Sequence, residues 1–174
     1  VRDPDYTTPP QKPPNGIDTV ARKLILDVDP GIDDAVALAN AAGTQLALLF
    51  IDLNDFKRVN DVQGHVAGDR FLIEVASRLQ HVATGRHGDA TVGRLSGDEF
   101  AVLLWNLSET DARAKAAALE DAIDRLSFVF RGSRVSAGAS AGVAILTAHS
   151  DVDRVLDEAD RAMYVRKAQR RHES

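Results

Sequence analysis

The run "LALLFIDL", residues 46–53, leaves the fold the least freedom. Side chains along a strand point alternately to opposite faces, so an unbroken apolar run needs cover on both. It reads as a central strand of a layered domain. Its one acid, Asp52, stands at the strand end, where the backbone would fix it and water could reach it.

The segments that follow alternate helix and strand. "GDRFLIEVASRLQHV" sets Phe71, Leu72, Val75, Leu79 and Val82 on one helical face. "TVGRLSGDEFAVLLW" has two strand-like halves about a tight turn at Ser96-Gly97-Asp98, the pattern of a hairpin. "SETDARAKAAALEDAIDRL" opens with Ser108 as N-cap and Asp111 three residues on, close to a capping box. Its Ala112, Ala116, Leu119, Ile123 and Leu126 step at helical spacing. "FVFRGSRVSAGASAGVAIL" reads as a second hairpin turning at Arg131-Gly132-Ser133, and "DVDRVLDEADRAMYVRKAQRR" as a closing amphipathic helix with a basic end. The order from residue 46 is β-α-β-β-α-β-β-α. The expected fold class is α+β, a mainly antiparallel central sheet flanked by helices, in one domain over residues 46–174.

All six prolines fall within the first 30 residues. Residues 1–22 therefore read as a Pro-rich linker or disordered segment. Residues 23–45 read as a strand, "LILDVD", and a helix, "DDAVALANAAG", that stops at Gly43 and leads into the domain. Asp27, Asp29, Asp33 and Asp34 in this stretch have the oxygen chemistry a hard cation needs.

The 174 residues carry a net charge of −5, with 21 Lys and Arg against 26 Asp and Glu. A general binder of DNA, RNA or an anionic membrane would be basic, so these partners are not expected. A phosphate-bearing partner would have to be met by a local basic cluster or by metal ions. Cysteine is absent, which excludes disulfides, thiolate metal sites and cysteine nucleophiles. No apolar stretch has the length of a membrane span, and no basic-then-apolar export signal opens the chain. Val1 in place of Met points to a fragment of something longer, and the expected location is cytoplasmic.

Carboxylates in two sequence-distant places have the character of a metal site. Asp52 ends the apolar strand, and Asp98 and Glu99 occupy the hairpin turn. Were those strands neighbours, three carboxylates would meet at one sheet edge and could bind one or two magnesium ions. Gly97 would let backbone N–H groups approach a phosphate. The same residues also have a plain structural reading, since Gly-Asp is ordinary turn chemistry and an acid at a strand end commonly meets solvent.

"RLSGDEF" resembles the signature of the GGDEF family, the diguanylate cyclases, with Ser96 in place of the first glycine. "LLFIDLNDFKRVNDVQGHVAGD" (48–69), "ASAGVAIL" (139–146) and "ADRAMYVRKAQRR" (159–171) resemble three further family motifs, in family order. The resemblance implies a palm-like nucleotidyl-cyclase fold and the condensation of two GTP to cyclic di-GMP with release of two pyrophosphates, across a homodimer. It implies Mg2+ or Mn2+ held by Asp52, the Leu53 carbonyl, Asp98 and Glu99, with Asp98 or Glu99 also activating the attacking hydroxyl. Asn60 and Asp69 match guanine-reading positions, and Asp69 could equally cap the helix that begins there. Phe56 and Lys57 match a loop whose backbone approaches the phosphates, beside Ser96 and Gly97. Lys167 and Arg171 match phosphate-binding positions, although basic residues also suit a helix C-terminus. Arg86 and Asp89 have the form of the inhibitory site for cyclic di-GMP, offset by one residue, and a charged loop is the competing reading.

Several residues depart from the family pattern. Ser96 and Arg170 replace glycines, and Asn54 stands where Asp is commoner. The usual opening motif is missing, and residues 24–38 instead resemble the amino-terminal calcium motif of inosine-uridine-type nucleoside hydrolases, without the rest of that domain. Two readings follow: a diguanylate cyclase, or a catalytically weak or inactive module that binds GTP or cyclic di-GMP as a signalling receptor. Either implies a sensor or other domain outside this chain.

Overall fold

The computed structural model describes residues 26–27, 45–84, 90–147 and 150–173. The Pro-rich opening, the helix expected at 33–43, Asp29, Asp33, Asp34, and the Arg86/Asp89 pair lie outside the described residues. The elements in chain order are β1 (Leu26–Asp27), β2 (Leu46–Asn54), α1 (Phe56–Gln63), α2 (His65–Thr84), β3 (Ala90–Ser96) and β4 (Glu99–Trp105). They continue with α3 (Glu109–Asp124), β5 (Phe128–Phe130), β6 (Ser133–Val135), β7 (Gly138–Leu146) and α4 (Val152–Glu173).

Five strands form one sheet in the order β1-β3-β4-β2-β7. Among the described residues only the short β1 runs parallel to its neighbour, pairing Leu26 with Gly93, and the other pairings are antiparallel. Between β4 and β7, β2 is hydrogen-bonded on both sides and buried on both faces, as its apolar run requires. Ala47, Leu49, Ile51 and Leu53 join the core that contains Phe71, Val75 and Leu79 of α2 and Leu119 and Ile123 of α3. Leu46 and Leu48 join the second core, with Val155 and Ala159 of α4. Helices α2 and α3 thus cover one face and α4 the other. The Ser108 side chain caps α3 by accepting from the Asp111 N–H, which contributes about 1 kcal/mol.

Three details differ from the sequence reading. The second hairpin is confined to β5 and β6, a separate two-stranded sheet whose turn holds Arg131 and Gly132 at positive φ. That tight turn returns the chain after three residues, so β7 is not its second arm and pairs with β2 instead. The expected loop at Phe56 and Lys57 is the first turn of α1. The following helix starts at His65 rather than at Asp69, because Gly64, at φ 83, ends α1 one residue earlier. Asp69 is therefore inside α2 and does not cap it.

Helix α4 approaches β7 at backbone distance. A Cβ on Gly142 would lie 2.1 Å from the Ala159 carbonyl oxygen and 2.2 Å from the Met163 nitrogen. The outer edge of β7 is closed by side chains. The Ala141 N–H donates to Glu120 Oε1 at 2.8 Å, and the Ala139 N–H to Asp124 Oδ1 at 3.3 Å. Arg166 donates to both oxygens of buried Glu120, and Arg170 reaches Glu120 and Asp124. Edge N–H groups that would otherwise template another strand are thereby satisfied. Among the described residues no helix is long and apolar enough to cross a membrane.

Gly142→Ala is expected to cost about 3 kcal/mol, the upper end for overpacking, because both obstructing atoms are backbone. Urea denaturation should show a lowered midpoint at an unchanged slope.

Candidate active site

Strand parity aims the acid at the end of β2. Leu46, Leu48, Phe50 and Asp52 share the face covered by α4, and Asp52 comes after the apolar contacts with Val155 and Ala159 have ended. There α4 presents Lys167, whose ammonium donates to Asp52 Oδ1. The antiparallel register sets Asp52 directly opposite Glu99 of β4, so both carboxylates lie on that face. Strand pairing alone brings together two acids 47 positions apart in sequence.

Asp98 sits in the turn between β3 and β4, and its carbonyl accepts from the Leu53 N–H at 3.1 Å, extending the β2–β4 pairing into the turn. Burial, and next the negative charge of Asp52, lift the Asp98 carboxyl above its ordinary value. A backbone hydrogen bond and Lys167 act against that rise. Gly97 takes positive φ, and Arg94 clamps its carbonyl with two hydrogen bonds, at 2.9 and 2.7 Å. Ser96 donates through Oγ to Glu99 Oε2 at 2.7 Å. A slip in the β3–β4 register between Arg94 and Ser96 makes that contact possible by setting Ser96 across from Glu99.

Oxygen donors with mutually repelling charge suit a hard cation, and Lys167 already supplies positive charge to one of them. Among the described residues no three acidic or histidine side chains are gathered as a ready cage, so the fit lies in donor chemistry rather than in a formed shell. Leu53 keeps its side chain in the core, which leaves only its backbone to take part.

The other expected site residues are spread around this centre. Phe56 is buried against Phe71, and Lys57 is exposed in the first turn of α1. Asp55, in the left-handed conformation, precedes that turn without a side-chain cap. The Phe56 and Lys57 N–H groups are left for solvent or an anion, while the Arg58 N–H donates to the Asp55 carbonyl at 2.9 Å. Asn60 packs over Gly68, where a Cβ would meet its Oδ1 at 2.0 Å, and Asp69 is exposed on α2. Lys167 and Arg171 line a cleft of about 750 Å³ together with Asn54 and Gly138. Ser140 holds Asn54 at the end of β2 with a 3.0 Å hydrogen bond.

Reasoning from sequence missed Glu120, Arg58 and Arg134. Glu120 had a visible signal, a charge directly beside the apolar face of α3 at Leu119. The two arginines had none, because nothing in the sequence places α1 beside β6.

The family model described as the diguanylate cyclase GGDEF domain matches residues 28–173. The chain is 42% identical over 135 residues to the diguanylate cyclase TpbB of Pseudomonas aeruginosa, covering 76% of this chain and 30% of that protein. The chain thus spans well under half the length of this curated relative. The solved GGDEF domain of PA1120 (YfiN or TpbB) from the same organism superposes with a TM-score of 0.68 at 38% identity, covering 80% of this chain and 86% of that one. The GGDEF domain of DgcB from Caulobacter crescentus, solved with c-di-GMP, gives a TM-score of 0.72 at 26% identity over 81% of this chain and 82% of that one. The layered sheet, the acidic turn facing the end of β2 and these likenesses agree, and the chain belongs to the diguanylate cyclase GGDEF family.

Proposed function

We propose that this chain is a metal-dependent diguanylate cyclase that condenses two GTP into cyclic di-GMP across a homodimer. The reading is carried by one observation, the register that sets Asp52 opposite Glu99 beside the turn carboxylate Asp98. In each of two equivalent steps a 3′-hydroxyl oxygen attacks the α-phosphorus of the other nucleotide. The bond from that phosphorus to the bridging oxygen breaks, and pyrophosphate leaves with the electron pair. Two copies of the domain are needed because each would hold one GTP and offer it to the other, which converts an encounter into an oriented reaction.

Asp52, the Leu53 carbonyl, Asp98 and Glu99 would hold Mg2+ or Mn2+. When bound, the metal would lower the pKa of the hydroxyl and neutralise charge on the phosphates. Asp98 is suited to take the proton, because a carboxyl lifted above its ordinary range accepts one more readily. Lys167 and Arg171 would orient the phosphates, with the open N-terminal turn of α1 at Phe56 and Lys57 beside them. Asn60 and Asp69 would read the guanine edge, with Ser96 and Gly97 forming the turn over the nucleotide. GTP as substrate places the domain in the cytoplasm. A regulatory domain outside this chain, and product inhibition through Arg86 and Asp89, belong to the same proposal.

A second reading, a receptor that binds GTP or cyclic di-GMP without turnover, is favoured by the Ser96 hydroxyl on Glu99, which occupies one of that carboxylate's oxygens. Purified protein incubated with GTP and magnesium separates the two. The cyclase reading expects cyclic di-GMP and pyrophosphate in a 1:2 ratio, with Glu99→Gln slower by about 100-fold or more, the scale of a lost transition-state contact. Nucleotide binding by calorimetry with no product at high protein concentration would hand the case to the receptor.

Asp98 carries a second expectation. Its raised pKa means that ionisation is less favourable in the folded state than in the unfolded chain. Stability linked to it is present at acid pH and lost as pH rises through its folded value. Asp98→Asn should therefore raise the Tm at neutral pH while abolishing turnover. The gain in Tm should shrink as pH is lowered, and a Tm equal to or below that of the parent at neutral pH would contradict it.

A further inference from the structure

The cleft beside Lys167 holds more positive charge than the proposed GTP contacts use. Arg58 of α1, Arg134 of β6, and Lys167, Arg170 and Arg171 of α4 all line it. Two acids, Asp55 and Asp124, line it as well. Lys167 is paired with Asp52, and Arg170 with Asp124 and Glu120. Among the described residues, Arg58, Arg134 and Arg171 have no acidic partner. Three guanidinium groups from three separate elements thus share the cleft with one unpaired acid, Asp55. Such an excess is relieved by an anion, and guanidinium forks match phosphate oxygens.

Position decides which anion. Asn60 packs over Gly68 of α2, whereas Arg58 and Val62, four residues apart on α1, line the cleft. Neither Asp69 nor the turn residues 96–99 line it. The cleft therefore begins at Lys167 and Arg171 and extends away from both the base-reading residues and the acidic turn. A nucleotide with its base at Asn60 and its α-phosphate near Asp52 has only its terminal phosphates left for this side. We propose that Arg58 and Arg134 extend the phosphate contacts already assigned to Lys167 and Arg171, meeting the β- and γ-phosphates of GTP and holding the pyrophosphate as it departs. The charge released by cleavage develops on the bridging oxygen of that leaving group, where added guanidinium donors stabilise it. The inference rests on the proposed placement of GTP.

Calorimetric titration with inorganic pyrophosphate in magnesium buffer tests it on the parent, Arg58→Ala, Arg134→Ala and the double variant. Each single change is expected to weaken pyrophosphate binding about tenfold, and the double change more, the scale of a charge-assisted hydrogen bond. GMP, which lacks the terminal phosphates, should bind all four proteins alike. Arg134→Lys should keep part of the affinity, and the KM for GTP should rise in the alanine variants. A parent that does not bind pyrophosphate, variants that bind it as the parent does, or an equal loss for GMP would each overturn the subsite. Parent turnover of GTP, measured alongside, separates the two layers. Pyrophosphate binding that depends on the arginines, without any cyclic di-GMP, would overturn the cyclase and keep the subsite. Turnover with arginine-independent binding would do the reverse.

Discussion

Everything at the candidate site depends on how closely α4 lies against β7. Gly142 has no side chain, and Ser140 and Ala144, which flank it on the same face of the strand, are small, so the helix backbone settles onto the strand. At that height the apolar first half of α4 fills the second core through Val155 and Ala159. The later half then overhangs the end of β2, close enough for Lys167 to reach Asp52. A bulkier residue at 142 would lift the helix and withdraw the basic residues from the carboxylates, even with every contact on the opposite face intact.

Height alone does not set rotation. Arg166 and Arg170 are four residues apart and form one stripe of α4, which grips Glu120 and Asp124 at the edge of β7. Lys167 and Arg171 form the next stripe, about 100° further round, and face the cleft. A helix rotated by one residue would exchange the two stripes. The bracket of Glu120 and Asp124 therefore specifies which cations meet the nucleotide side. Its net stabilisation is small, since burying a charge costs much of what pairing returns, and Glu120 would be left an uncompensated buried charge only if both Arg166 and Arg170 were lost. Arg170, which stands where the family resemblance expects glycine, is part of this bracket.

The layered fold was legible because β2 is apolar on both faces and because Phe71, Val75, Leu119 and Ile123 repeat at helical spacing. Periodicity could not say where the hairpin at Phe128 ended, since β7 is a continuous run of small residues that fits either partner. Within the site, the pairing of Asp52 with Glu99 was a conditional expectation, needing only that two strands be neighbours. The Ser96 contact to Glu99 depends on a register slip, and a slip has no signature in residue types. Arg58 and Arg134 were invisible for a different reason, because nothing in the residue types sets α1 and β6 along one cleft.

The final arrangement separates charges that a merely stable protein would neutralise. Asp98 and Glu99 stand with Asp52 on one side, with Asp98 lifted above its ordinary value by burial and by Asp52. Arg58, Arg134 and Arg171 stand on the other side, and Lys167 lies between, tied to Asp52. The cleft that the arginines line includes Lys167 but neither Asp52 nor residues 96–99. Each pole carries a cost to stability that pairing would have removed. A triphosphate with a bound cation meets both at once, cation toward carboxylates and phosphates toward arginines, and this explains how a chain of net charge −5 can accommodate an anionic substrate.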